Sequence, residues 1–164
     1  MRPVLAAAVL AGAAVLGVLP LAPAAAAATP TCTQSCYLDA RTGAHPDFDR
    51  LVFDLAGPTL PTAQGAVSAT GEYVAGSGDA KFVQIPGSSY LMLHSSFSHT
   101  TYDDGTKSYT TPTVQPVSLP SIKGVQLIGD SEGYTDFGIS LGSYSRYQIS
   151  NLTSPNRLIV DVYH

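Results

Sequence analysis

The heptapeptide DRLVFDL, residues 49–55, is nearly repeated at the other end of the chain as NRLIVDV, residues 156–162. Side chains alternate between the two faces of a β-strand, so each copy places its large apolar residues on one face. Those residues are Leu51, Phe53 and Leu55 in the first copy and Leu158, Val160 and Val162 in the second. The repeat therefore predicts two similar strands that line a hydrophobic core, with Phe53 and Val160 fully buried.

The other face of each copy carries one Arg and one Asp, and their order restricts how the two strands can pair. In an antiparallel arrangement Arg50 faces Asp161 and Asp54 faces Arg157, whereas a parallel arrangement brings like charges together. The charges therefore favour antiparallel neighbours joined by two cross-strand ion pairs. An exposed pair contributes at most about 1 kcal/mol, so we expect the charges to act mainly on the register.

The remainder of the chain repeats this short-strand rhythm. Runs rich in Val, Ile, Tyr, Phe and Thr alternate with Gly, Pro, Asp and Ser, and no long stretch has a helical apolar period. The candidate strands are Cys36–Ala40, Phe48–Ala56, Ala66–Tyr73, Ala80–Ile85, Tyr90–Ser95, Val114–Leu119, Lys123–Ile128, Thr135–Leu141, Tyr147–Leu152 and Arg157–Tyr163. About ten short strands in a chain of this size predict an all-β fold, a two-sheet β-sandwich.

The start of the chain has the features of a secretory signal peptide. A charged start, with Arg2, precedes an apolar run from Val4 to Leu19, and an Ala-x-Ala site stands before Thr29. We therefore expect a signal peptide at residues 1–28, a short segment with both cysteines at 29–36 and one domain at 37–164. After signal cleavage no membrane span is expected, and the predicted location is extracellular.

The charge balance bears on the class of partner. Of eight Lys and Arg residues only Arg2 lies in the first 28 positions, so seven remain against 12 Asp and Glu, a net charge of −5. A polyphosphate backbone would be repelled by this surface, and no basic run opposes that effect. Nucleic acid is therefore excluded as a partner.

Cys32 and Cys36 are the two cysteines of the chain, in the stretch TCTQSCY. A bond between them requires a turn at residues 33–35, since disulfide α-carbons lie about 4.4–6.8 Å apart. A redox pair is the alternative, but CxxxC differs from the usual CxxC and no βαβ pattern surrounds it. We expect a structural disulfide.

Three stretches together resemble a known family. They are ARTGAHPDFDRLVFDLAG at 40–57, GSGDAKFVQIPGSSYLMLHSSFSHT at 76–100 and TDFGISLGSYSRYQISNLTSPNRLIVDVYH at 135–164. These look like the AMIN-like domain of secreted bacterial proteins and lipoproteins, a relative of the AMIN module of cell-wall amidases. The resemblance implies a two-sheet β-sandwich that attaches non-covalently to peptidoglycan or another envelope component, and it implies no catalysis.

One stretch offers a catalytic alternative. GISLG at 138–142 matches G-x-S-x-G with Ser140 as nucleophile, and Asp161 and His164 supply the other residue types of a triad. The motif needs a strand that turns sharply into a helix, whereas Ile139 and Leu141 alternate as in a continuous strand. A hydrolase is thus the least favoured function, and we expect no catalytic residue.

Metal and cofactor sites are not predicted. His94 and His99 with Asp103 and Asp104, or His45 with Asp47 and Asp49, supply ligand types but match no established spacing. The stretch YDDGTKSY at 102–109 is more typical of a hairpin with Asp104 and Gly105 at its tip.

Tyrosine is the residue type that points to binding. Seven of nine tyrosines follow residue 89, and tryptophan is absent. A tyrosine ring stacks on apolar surfaces while its hydroxyl forms hydrogen bonds. Those in or beside predicted loops are the candidate ligand contacts: Tyr102, Tyr109, Tyr134 and Tyr144. We expect a non-catalytic module that binds a cell-wall polymer, or alternatively a protein-interaction domain that binds an envelope protein through a sheet face or edge.

Overall fold

The computed structural model describes residues 29–164, so the signal-peptide prediction lies outside the described residues. Within that range the chain forms twelve strands and no helix. They are β1 (Ser35–Ala44), β2 (Phe48–Ala56), β3 (Thr62–Ser68), β4 (Glu72–Val74), β5 (Ala80–Phe82), β6 (Ser89–Ser96), β7 (Ser98–His99), β8 (Val114–Pro116), β9 (Ile122–Ser131), β10 (Tyr134–Leu141), β11 (Tyr147–Leu152) and β12 (Arg157–Tyr163). A helix with the length and apolarity to span a membrane is accordingly not found in the described range.

Ten of the strands form the two layers of a β-sandwich. Sheet A has the order β11-β12-β2-β1-β7 and sheet B the order β3-β6-β10-β9-β8, while β4 and β5 form a separate hairpin. Neighbours are antiparallel except β1 and β7, which run parallel. The chain changes from sheet B to sheet A between β6 and β7, at Phe97. The prediction of an all-β sandwich is confirmed.

Several predicted strands differ from the structure in their bounds, and one is divided in two. The segment Ala66–Tyr73 is divided between β3, which ends at Ser68, and β4, which begins at Glu72. The hydroxyl of Ser68 accepts hydrogen bonds from the backbone amides of Thr70 and Gly71, at 3.3 and 3.0 Å. Gly71 has φ +68°, a conformation that glycine adopts without steric strain. A side-chain-capped turn therefore interrupts the run.

The two similar heptapeptides lie side by side in the middle of sheet A. β2 and β12 are antiparallel with Arg50 opposite Asp161 and Asp54 opposite Arg157, the register that the charge order predicts. Phe53 and Val160 are both fully buried. The apolar face of each strand, as expected, points into the core between the sheets.

The two expected ion pairs have different outcomes. Arg50 donates two hydrogen bonds to the carboxylate of Asp161, at 2.7 and 2.8 Å. Asp54, however, accepts two from Arg41 of β1, at 3.0 and 3.1 Å, so the predicted pair with Arg157 is wrong. β1, the neighbour on the other side of β2, supplies the competing arginine. Nε of Arg157 is buried without a hydrogen-bond partner among residues 29–164.

Aromatic rings fill the centre of the core. Phe53 and Phe137 come from opposite sheets with ring centroids 4.5 Å apart, and Tyr37 lies 5.2 Å from Phe53 and 5.0 Å from Phe137. The hydroxyl of Tyr37 is hydrogen-bonded to that of Ser95 at 2.7 Å, which gives each buried hydroxyl a partner. Burial raises the pKa of Tyr37, so its hydroxyl stays protonated.

The N-terminal segment is attached to the sandwich in two ways. Cys32 and Cys36 form a disulfide with α-carbons 6.0 Å apart, and Cys36 already belongs to β1. The carboxylate of Asp103 accepts hydrogen bonds from the amide and hydroxyl of Thr33 and from the hydroxyl of Thr31, at 3.0–3.1 Å. The amide of Thr33 has the largest share in lowering the pKa of Asp103.

Candidate functional site

The segment of residues 83–85, here called the strap, covers part of the outer face of sheet B. After β5, Val83 and Ile85 lie over two glycines, Gly138 of β10 and Gly124 of β9, where an added methyl group would overlap their side chains. Both apolar side chains are buried there. The backbone amide of Gln84 donates to Oε1 of Gln126 at 2.7 Å, which fixes the strap between the two apolar contacts.

Ser140 lies beneath this strap and not at a reactive surface. It is fully buried near the C-terminal end of β10, and its hydroxyl donates to the carbonyl of Ile85 at 2.6 Å. Asp161 is bound to Arg50 on sheet A, and Nδ1 of His164 lies 2.9 Å from the Ser121 hydroxyl. The structure therefore does not bring Ser140, Asp161 and His164 together, and the hydrolase alternative loses its geometric basis.

The β4–β5 hairpin stands over the uncovered part of the same face and encloses a cleft of about 390 Å³, here called the hairpin cleft. Glu72 and Tyr73 of the hairpin form one wall, and Met92, His94 and Asp136 of sheet B form the floor. Its volume falls within the range of about 300–1,000 Å³ that small-molecule sites occupy. Apolar and polar groups are mixed along its lining.

His94, Tyr134 and Asp136 form a fixed group at one end of the hairpin cleft. His94 and Asp136 face each other on β6 and β10, and Nδ1 of His94 lies 2.6 Å from Oδ1 of Asp136. The ring of Tyr134 stacks on His94 with centroids 5.0 Å apart and planes 22° apart. His94, Asp136 and Tyr134 all remain accessible, with Tyr134 44% exposed. The stacked rings of Tyr134 and His94 therefore form an aromatic surface, here called the Tyr134–His94 platform, with the Asp136 carboxylate beside it.

A smaller pocket of about 130 Å³, the corner pocket, adjoins this platform where β6 ends and sheet A begins. Its walls include Gln34, Phe97, Glu132, Gly133 and Tyr134. Because Tyr134 lines the corner pocket and stacks on His94, which lines the hairpin cleft, the two spaces are neighbours. Glu132 and Gly133 have φ +53° and +81°, as the two central residues of a tight hairpin turn do.

The four candidate tyrosines do not gather at one site. Tyr109 is 1% exposed and packs with its ring centroid 5.7 Å from that of Phe137, so its assignment as a ligand contact is wrong. The hydroxyl of the preceding Ser108 donates to the carbonyl of Tyr37, which draws the chain after the Asp104–Gly105 turn into the core. Burial raises the pKa of Tyr109 to about 12.

Tyr102 and Tyr144 lie elsewhere on the surface. Tyr102 borders a depression beside Thr33 and Asp103, next to the N-terminal segment. Tyr144 is 41% exposed in the loop after β10, with its ring centroid 5.7 Å from that of His164. Of the four candidates, Tyr134 is thus the one beside the hairpin cleft.

The residues considered as metal ligands serve other purposes. His94 is held by Asp136, whereas Asp104 accepts from the hydroxyl and amide of Thr106, which lowers its pKa. Asp49 is buried and accepts the backbone amide of Ser121 at 2.5 Å. In the part of the chain that the structure describes, no three His, Cys, Asp or Glu side chains are grouped as metal ligands.

Sequence reasoning missed His94, Asp136 and Phe97 as candidate contacts. His94 was weighed as a metal ligand alone, although period-two counting places it on the face of β6 opposite the buried Leu91 and Leu93. Its pairing with Asp136 depends on which strands are neighbours, and a single sequence does not state that. Phe97 carried no signal because its backbone conformation appears only in the structure.

The comparisons with known proteins agree with the fold. A family model described as the AMIN-like domain matches residues 35–164, from the first residue of β1 to His164. No curated protein and no solved structure matches the chain. AMIN-like domains are in general non-catalytic binding modules, and they occur in secreted or envelope proteins. The resemblance seen in the sequence is confirmed, and the chain belongs to the AMIN-like domain family.

Proposed function

We propose that this protein is a non-catalytic module that binds a glycan of the bacterial cell envelope, with peptidoglycan as the polymer and the hairpin cleft as the site. Family membership supports the class of function, since AMIN-like domains are associated with the cell wall. The observation that carries the choice of site is the exposed Tyr134–His94 stack beside Asp136.

This group matches the chemistry of a sugar. A pyranose has apolar C–H faces that pack on aromatic rings, and hydroxyl groups that donate hydrogen bonds to carboxylates. Tyr134 and His94 supply the ring surface, and Asp136 and Glu72 supply carboxylates along the hairpin cleft. The pairing of His94 with Asp136 holds both side chains in place before binding, which reduces the entropy lost on association.

The test is retention of the purified protein on insoluble peptidoglycan. Tyr134→Ala should weaken binding about 2- to 12-fold, because an aromatic contact contributes about 0.5–1.5 kcal/mol and 1.4 kcal/mol is tenfold. Tyr144→Ala is the matched control, since Tyr144 is 41% exposed against 44% for Tyr134 but lies beside His164. Retention no greater than that of an unrelated protein of equal charge, or equal retention of both variants, would overturn the proposal.

A second candidate is a protein-interaction domain, and the hairpin itself favours it. Val74 and Phe82 are 73% and 56% exposed. Glu72 lies opposite Phe82 in the hairpin, and Val74 is two residues beyond Glu72, so the side chains of Val74 and Phe82 lie on the same side. Adjacent exposed apolar side chains are typical of a protein contact. If a polypeptide is the partner, Phe82→Ser should weaken its co-purification and leave retention on peptidoglycan unchanged, because Phe82 is not part of the lining of the hairpin cleft, whereas Val74 is.

A further inference from the structure

Neither the backbone conformation nor core packing accounts for a phenylalanine at position 97. It links β6 to β7 where the chain crosses between sheets, and its φ is +59°. Its carbonyl accepts the backbone amide of Ser35 at 3.1 Å, so the crossover holds this backbone conformation in place. Gly or Asn adopts such a conformation with less strain than a bulky aromatic residue does. The Phe97 side chain is nevertheless 61% exposed, so core packing does not account for it either.

Gln34, which also lines the corner pocket, has a side-chain atom without a hydrogen-bond partner in the described range. Its Oε1 is buried and has no hydrogen-bond partner among residues 29–164. A methyl group added at Gly133 would lie 3.6 Å from this atom, an ordinary van der Waals distance, so the atom lies beside the turn at Glu132 and Gly133. A buried acceptor without a partner is unfavourable, and a ligand group that donates a hydrogen bond removes the penalty.

The size and charge of the corner pocket restrict what can enter. Its volume of about 130 Å³ is below that of sites for whole small molecules, so it admits a substituent of a larger ligand. Glu132 is the charged residue in its lining, so a carboxylate or phosphate would be repelled. The rings of Phe97 and Tyr134 line the pocket, and a hydroxyl group is too small to cover them.

We propose that the corner pocket is a subsite for the acetamido group of an N-acetylated sugar whose ring lies on the Tyr134–His94 platform. The inference rests on the proposed function and names the substituent that the site selects. The acetamido N–H donates to Gln34, and the methyl group packs on Phe97. Because an acetamido group has both a donor and an acceptor, it is complementary to the Gln34 side-chain amide in either orientation of that amide.

The test compares three soluble oligosaccharides that differ at one ring position, measured by calorimetric titration. N-acetylated chito-oligosaccharide carries the acetamido group, its deacetylated form carries an amine, and cello-oligosaccharide carries a hydroxyl. We expect the N-acetylated oligosaccharide to bind at least about tenfold more tightly than the other two. Equal binding of all three would overturn the inference, as would tighter binding of the amine.

Two variants place the effect at the corner pocket. Phe97→Asn removes the ring and keeps a residue that suits the backbone, so it should fold and lose about tenfold in affinity for the N-acetylated oligosaccharide. Phe82→Asn is the matched control because Phe82 is exposed to a similar degree, 56% against 61%, and lies on the hairpin. Gln34→Met keeps the length of the side chain and removes the amide, and it should lower affinity in the same way. Unchanged affinity in both Phe97→Asn and Gln34→Met would overturn the inference.

Parallel retention on peptidoglycan separates this inference from the proposed function. Retention of the protein on the polymer without preference for the N-acetylated oligosaccharide overturns the inference and leaves the proposed function in place. Loss of both retention and oligosaccharide binding overturns both proposals.

Discussion

Replacement of Arg50 by Ala tests what the Arg and Asp residues on the outer face of sheet A contribute. The change removes two hydrogen bonds of 2.7 and 2.8 Å to Asp161, whose side chain is 10% exposed, while that of Arg50 is 35% exposed. It also removes an aliphatic stem from the face on which Val52 and Ile159 are only 6% and 2% exposed. The variant therefore leaves a nearly buried carboxylate without its partner.

The expected magnitude lies between two limits. An exposed ion pair contributes about 0–1 kcal/mol, and removal of one partner from a fully buried pair costs about 3–5 kcal/mol. With one buried and one partly exposed partner, we expect Arg50→Ala to lower the free energy of unfolding by about 1.5–3 kcal/mol. Arg41→Ala is the matched control, because Arg41 makes the same two-bond contact with Asp54 at exposures of 52% and 32%. Its loss should stay below about 1 kcal/mol.

Urea denaturation at neutral pH measures both losses, from a shift of the midpoint at unchanged slope. The double variant Arg50→Asp with Asp161→Arg should recover much of the stability that either single change removes, since the two residues face each other across β2 and β12. Equal losses for Arg50→Ala and Arg41→Ala, or no recovery in the double variant, would refute the assignment of the contribution to this ion pair.

Three further changes test the core and the N-terminal segment. Phe53→Ala should destabilise by about 3–5 kcal/mol in the same assay, because a fully buried ring is replaced by a cavity, and a nearly neutral result would contradict its place in the core. Reduction of the Cys32–Cys36 disulfide should lower the free energy of unfolding by only about 2 kcal/mol, because the ring that the disulfide closes is small. Intact mass after alkylation verifies that the disulfide was present and that both thiols have been released. The hydrogen bond from the Thr33 amide lowers the pKa of Asp103 below 3.8, so the attachment is complete above that pH and is lost as the pH falls through the lower folded value. Amide exchange of residues 29–34 should therefore accelerate in acid, and exchange independent of pH after correction for its intrinsic rate would contradict this.

Much of the architecture follows from short-range patterns. The period of two places Phe53 in the core, and the order of Arg50 and Asp161 selects the register, because both depend on alternation along a strand. The ion-pair partner of Asp54 could not be predicted in this way. That partner is Arg41 on a third strand, β1, and the position of β1 depends on the order of strands in the sheet.

The candidate site was only partly accessible to sequence reasoning. Tyr134 was found because it stands beside a turn and carries an amphipathic ring. Tyr109 has the same local context, yet the chain after the Asp104–Gly105 turn re-enters the core and buries it. Residue type and local context therefore identify candidates, and the tertiary course of the chain decides which of them face solvent.

The outer face of sheet A carries paired charges apart from Nε of Arg157, which is buried without a partner in the described range, and this pairing bears on where a ligand would bind. On sheet A, Arg50 is held by Asp161 and Arg41 by Asp54, so a ligand there would have to displace charged hydrogen bonds. In the corner pocket, where the chain crosses between the sheets, Phe97 is exposed in a strained conformation and the Gln34 amide has an acceptor without a partner in the described range. A ligand in this pocket gains contacts without breaking existing ones. The near-repeat of the heptapeptide thus stabilises sheet A, and the proposed binding surface lies on the outer face of sheet B and at the corner between the two sheets.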